Sequence, residues 1–168
     1  MKQIWAPWRK AYVTAKVRSK GCLFCRAKRA AQSQDQKNLV VHRSHRSFSI
    51  LNLYPYNNGH VMVVPVRHVS GLEKLGSEER LDLLREVDLV LKLLRKVFHP
   101  EGFNLGLNLG RSGGAGVPGH VHLHMVPRWL GDTNFMPVLT GTKVISDSLK
   151  ATHLALRRAL GKKERRRR

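Results

Sequence analysis

The chain has 168 residues, 42% of them hydrophobic, and a formal net charge of +20. That is enough apolar material for one domain with its own core, and no apolar run reaches the roughly 18–20 residues that span a bilayer. The opening MKQIWAPWRKAYV lacks the apolar stretch and small-residue cleavage site of a secretory signal, so a cytoplasmic protein without membrane association is expected.

The charge is concentrated at the two ends. Residues 1–46 hold 12 Lys/Arg against one acid, Asp35, and residues 157–168 hold eight against Glu164. The residues between hold 11 basic and nine acidic groups. Blocks of like charge are usually solvated. Residues 1–21 therefore read as a basic arm, 22–156 as the folded domain and 157–168 as a disordered basic tail. Such ends attract polyanions without sequence preference. A basic nucleic-acid-binding protein is thus the alternative to an enzyme, although no DNA- or RNA-recognition motif is present.

Along the chain, an extended arm leads into CLFC (Cys22 and Cys25), and AAQSQDQKN (30–38) is a polar loop. RSFSILNL (46–53) alternates as a strand, YPYNNG (54–59) is a turn cluster, and HVMVVPV (60–66) is a second strand that Pro65 brings to its end. A helix follows, with Ser77 as its cap and Glu78 and Glu79 at the positive end of the dipole. Its apolar stripe is Leu84, Val87, Leu91, Leu94 and Phe98, flanked by Leu83, Val90 and Val97, and Pro100 and Gly102 stop it. FNLGLNL (103–109) is a strand, RSGGAGVPG (111–119) a loop and HVHLHMVP the last strand. A terminal helix is expected from about Ser146 to Leu160. The order predicts an α+β domain, an antiparallel sheet with a long packed helix.

The chemistry-bearing feature is GHVHLHMVPRW (119–129). In a strand, His120, His122 and His124 share one face while Val121, Leu123 and Met125 seal the other. Same-face neighbours stand roughly 6–7 Å apart, so three consecutive histidines suit one ion at about 2 Å per bond poorly. Glycines 113, 114, 116 and 119 of the preceding loop allow close backbone approach and an anion-binding nest. A phosphate loop beside neutral imidazoles is the arrangement expected for phosphoryl chemistry.

GHVHLHMVP resembles the histidine-triad (HIT) signature, three histidines alternating with apolar residues. The flanking ILNLYPYNNGHVMVVPVRHVSGLEKL and FNLGLNLGRSGGAGVPGH are similar to the family's other blocks. IWAPWRKAYV and PRWLGDTNFMPVL resemble its bacterial diadenosine tetraphosphate phosphorylase- or hydrolase-like branch. The resemblance implies a HIT-like fold and a homodimer whose sheets join. It also implies cleavage of a nucleoside polyphosphate at the α-phosphate through a covalent nucleotidyl-histidine, with no metal in the chemistry. By residue, it implies His122 as nucleophile and His124 on phosphate or leaving-group oxygen. Asn52 would bind the sugar, Asn108 with Gly113, Gly114 and Gly116 the phosphates, and His60 would lie nearby. One departure stands out. Many members carry Gln-Ser or Gln-Thr shortly before the triad, where this chain has Gly116 and Val117. Arg111 and Ser112 are the polar side chains that remain in the loop.

CxxC is a redox pair, a pair of free thiols or half of a zinc site. A zinc site needs two more ligands, and His42, His45, His60, His68 and His120 are candidates. The family resemblance implies Cys22, Cys25, His68 and His120 around a structural zinc.

Overall fold

The computed structural model describes residues 21–133 and 145–165. The basic residues 1–20 and 166–168, and the 134–144 part of the PRWLGDTNFMPVL block, lie outside the described residues.

Five strands form one antiparallel sheet: β1 (Val40–Arg43), β2 (Ser47–Leu51), β3 (Val61–Pro65), β4 (Gly102–Leu107) and β5 (Leu123–Arg128). Their order in space is β1-β2-β3-β5-β4. Helix α1 (Leu23–Arg29) lies on one face, and α2 (Ser77–Phe98) and α3 (Leu149–Arg165) pack on the other. The α+β expectation holds.

Central strand β3 is buried at every position, which is why HVMVVPV is a continuous apolar run rather than an alternating one. Val61 and Val63 join the larger cluster with Leu83, Val87, Val90 and Leu94 of α2 and Leu156 and Leu160 of α3. Met62 and Val64 face the other way, toward Phe24 and Ala27 of α1. The pairing of Met62 with His124 and of Val61 with Met125 fixes the faces of β5. Met125 enters the helix-side core, and the histidines fall on the α1 side.

The sequence reading needs several corrections. CLFC opens a short helix, Leu23–Arg29, that the sequence reading did not place. Four-residue β1 falls in a stretch too short to show a period. Gly76, not Ser77, caps α2: its N–H donates to the Glu79 carboxylate at 2.8 Å, and Ser77 is the first helical residue. Leu84 is 59% exposed, because the buried stripe is centred on Leu83, Val87, Val90 and Leu94. Within that stripe Glu86 is buried and meets His42 Nδ1 of β1 at 2.8 Å. Helix α2 ends at His99, which adopts the left-handed conformation (φ 48°) just ahead of Pro100. Helix α3 continues to Arg165, past the boundary at 156 that charge suggested. Ala159 and Leu160 are buried and hold it against the core. Among the described residues, no helix is long and apolar enough to cross a membrane.

The two sheet edges differ. At β1, α3 supplies His153 Nε2–H to the Val40 carbonyl (2.8 Å) and Arg157 to the Val41 carbonyl (3.0 Å). At β4, Asn104, Leu105 and Gly106 are exposed.

Beyond the packing of Phe24 and Ala27, Arg43 fastens helix α1 to the sheet. Arg43 donates to the carbonyls of Ala27, Lys28 and Ala30 at the C-terminal end of α1, and to Asp35 Oδ1 at 2.7 and 3.0 Å. It therefore satisfies helix-end carbonyls and a buried carboxylate together. Arg43→Ala should cost about 3 kcal/mol, because Asp35 is left charged and buried without its partner. Urea unfolding checks it, and a loss below about 0.5 kcal/mol would contradict this role.

Candidate functional site

The HxHxH row straddles the start of β5, so its first members lie ahead of the sheet ladder. Their backbone is held by other means: His120 N–H donates to the Val117 carbonyl (3.1 Å), and Val121 N–H to the Val69 carbonyl (2.6 Å). The three imidazoles are buried, and each makes different contacts.

His120 donates Nε2–H to the Pro65 carbonyl at 2.9 Å. Its bare Nδ1 then faces Cys22 Sγ at 3.3 Å and Cys25 Sγ at 3.7 Å. His68 Nδ1 lies 3.3 Å from Cys25 Sγ. These four ligand atoms lie within 4.8 Å of one another. Sulfur and nitrogen on a tetrahedral zinc are separated by about 3.5 Å, given bonds of roughly 2.3 and 2.0 Å, so the spacings suit one ion. The carbonyl partner on Nε2 fixes the His120 tautomer that a metal needs. Gly119 lets His68 in: a Cβ there would lie 3.3 Å from His68 Nε2. Burial, and then the neighbouring Cys22, push the Cys25 thiol up; a divalent cation would reverse that by supplying charge.

His122 points its Nδ1–H at the carbonyl of His120, two residues back, at 2.8 Å. The proton is therefore on Nδ1, and Nε2 carries a free lone pair. Burial holds the ring neutral by pushing its pKa down, although the bond to the carbonyl works against this.

His124 has the opposite tautomer, imposed by its neighbours. Tyr56 N–H donates to His60 Nδ1 (3.0 Å), so the His60 proton sits on Nε2. That proton is donated to His124 Nδ1 at 2.9 Å, which leaves the His124 proton on Nε2. His124 Nε2 is buried and, among the described residues, has no hydrogen-bond partner. The His122 and His124 rings are 4.9 Å apart at 65°. One buried pair thus presents an unprotonated nitrogen beside an N–H donor.

Asn52 brings its Nδ2 to 3.4 Å from His60 Nδ1, while its Oδ1 accepts Tyr54 N–H at 3.0 Å. Asn108 follows directly on β4, whose Leu107 pairs with Leu123. Among the described residues, the Asn108 side chain makes no hydrogen bond to the histidines. In the loop, Gly110 and Gly114 have positive φ (68° and 81°), and Gly114 and Ala115 N–H close turns onto Arg111 and Gly110. Gly113 is exposed, like Gly114 and Gly116, and must be glycine because a Cβ would lie 2.3 Å from the Leu109 carbonyl. The structure thus gathers Cys22, Cys25, His68 and His120 into one cluster and His60, His122, His124 and Asn52 into another.

Tyr56 and Phe24 escaped the sequence reading. Tyr56 lies over His60 and His124, with ring centroids 4.7 and 5.8 Å away. Its only sequence signal is its place four residues before His60. Phe24 lies inside CLFC, where the eye goes to the cysteines.

The HIT domain family model matches residues 33–129. AP-4-A phosphorylase of Mycobacterium tuberculosis is 46% identical over 125 residues, 74% of this chain and 64% of that protein. The chain thus spans just under two thirds of this relative's length. Bis(5'-nucleosyl)-tetraphosphatase [asymmetrical] of Schizosaccharomyces pombe is 39% identical over 93 residues, 55% of this chain and 50% of that protein. Among solved structures, a Zn-bound histidine triad family protein from Mycobacterium smegmatis superposes with a TM-score of 0.66 at 23% identity, covering 86% of this chain and 96% of that one.

Burial, with His122 as the second cause, pushes the His124 pKa down from 6.5 to about 4. Protonation therefore favours the unfolded chain: the contribution of His124 to stability is complete above pH 6.5 and is lost as pH falls through about 4. In a histidine NMR titration, the His124 resonances should keep their neutral positions well below pH 6. A midpoint at the ordinary imidazole value would contradict the burial argument.

Proposed function

The chain belongs to the HIT domain family, and on that premise we propose that it cleaves dinucleoside polyphosphates of the diadenosine tetraphosphate class by nucleotidyl transfer through His122. The observation that carries this reading is the hydrogen bond from His122 Nδ1–H to the His120 carbonyl, which leaves Nε2 as a nucleophile.

In the first step Nε2 attacks the α-phosphorus. An N–P bond forms, the P–O bond to the leaving nucleoside polyphosphate breaks, and the electron pair departs with that oxygen. A polyphosphate is stable as an anion at neutral pH, so it needs a hydrogen bond rather than a full proton. The unpartnered His124 Nε2–H supplies that bond in a buried setting. This also lessens the need for the Gln-Ser or Gln-Thr donors that Gly116 and Val117 replace. Asn52 is the proposed sugar contact. Asn108 and the backbone of Gly113, Gly114 and Gly116 are the proposed phosphate contacts. In the second step phosphate oxygen attacks the nucleotidyl-histidine, the N–P bond breaks, and His122 Nε2 regains its lone pair. Phosphate as acceptor is supported by the 46% identity to the relative named AP-4-A phosphorylase.

Cys22, Cys25, His68 and His120 hold one structural zinc in this reading, supported by their spacing and tautomer. The metal would tie α1 to the segment that carries the nucleophile, outside the chemical steps. Two free cysteines serving as ligands suit a reducing, cytoplasmic setting. The exposed β4 edge is the surface for a homodimer joined sheet to sheet. The alternative of nucleic-acid binding through the basic ends rests on composition alone.

Diadenosine tetraphosphate incubated with phosphate should yield ATP and ADP, with no cleavage when phosphate is left out. ATP and AMP without phosphate would make the acceptor water. His122→Ala should lower kcat at least 10³-fold; a folded variant with wild-type turnover would refute the mechanism. Metal analysis of the purified, unchelated protein should find close to one zinc per chain, and a metal-free preparation with full stability would rule the zinc site out.

A further inference from the structure

Phe24 is fully buried and occupies the position between the two cysteines. Its ring centroid lies 5.4 Å from that of His120, edge-on at 75°, and 5.0 Å from that of His122 at 48°. His122 is thus restrained on three sides: by the His120 carbonyl at Nδ1, by the Phe24 ring, and by the His124 ring. Torsion about the bond to an imidazole ring is broad and roughly two-fold, so one hydrogen bond leaves room for rocking. A flat, buried ring alongside removes much of that room.

Phe24 is itself held firmly. Cys22 and Cys25 on either side of it contact His120 and His68 at 3.3 Å. Arg43 grips the far end of the same helix. Leu23, the other residue between the cysteines, is 37% exposed.

We infer that Phe24 is a positioning residue for the nucleophile, holding the His122 ring at the angle that aims Nε2 at phosphorus. The inference rests on the proposed role of His122. It assigns to CLFC a task beyond that of its cysteines.

A control lies in the same apolar cluster. Phe48 is equally buried and has no ring contact with a histidine among the described residues. Full-length wild type, Phe24→Leu and Phe48→Leu are compared in kinetics on diadenosine tetraphosphate with phosphate, and in nitrogen-15 NMR of the histidine rings. Phe24→Leu should lower kcat roughly 10-fold and leave KM within about twofold. Its His122 ring signals should move from a single Nδ1–H tautomer toward an average of two. Phe48→Leu should lose stability while keeping wild-type kcat and wild-type His122 signals. Phe24→Met, which keeps volume without a flat ring, carries the same expectation and stands in if the leucine variant does not fold. The inference is overturned if the Phe24 variants match Phe48→Leu in both measurements. A wild-type protein that forms no nucleotidyl-enzyme would refute the proposed reaction instead, and the NMR comparison would still decide the role of Phe24.

Discussion

The site depends on one short hydrogen bond, from the His122 ring to the backbone of His120, two residues earlier. It exists because regular pairing in β5 begins only at Leu123. The preceding backbone is anchored instead to Val117 and Val69, and the His120 carbonyl turns toward the next same-face side chain. One residue then serves two neighbours: the His120 ring faces the cysteines while its carbonyl sets the His122 tautomer.

His60 and Tyr56 have an equivalent role for His124. Two adjacent imidazoles of identical chemistry carry their protons on different nitrogens because each has a different fixed partner. Burial keeps both uncharged. A backbone amide and a backbone carbonyl, groups that cannot titrate near neutrality, stand at the two ends of this network. The polarity of the pair therefore follows from the fold rather than from pH.

Much of this was legible in the sequence. The two-residue period placed the histidines on one face, and β3 and α2 followed from their apolar patterns. Family resemblance singled out His68 and His120 from five candidate histidines, and they do lie together with the cysteines. What stayed hidden depended on tertiary contact. Glu86 breaks the apolar stripe of α2, yet is buried because His42 meets it. Residues past 156 looked too basic to fold, yet buried Ala159 and Leu160 carry α3 onward. Tyr56 acts through its backbone N–H as well as its ring, and no side-chain pattern records that. Phe24 resembles any core phenylalanine until its distance to His122 is measured.

The unequal edges of the sheet bear on how copies of this chain can associate. A strand edge is a template for another strand, and a sheet open at both ends could add copies without limit. Here α3 covers β1, with His153 and Arg157 occupying two of its carbonyls, while among the described residues Asn104, Leu105 and Gly106 of β4 are exposed. In the proposed homodimer, pairing through β4 would be self-terminating: once two such edges meet in a two-fold arrangement, the covered β1 edges would face outward. The same helix that completes the core would thus keep such pairing from propagating into fibres.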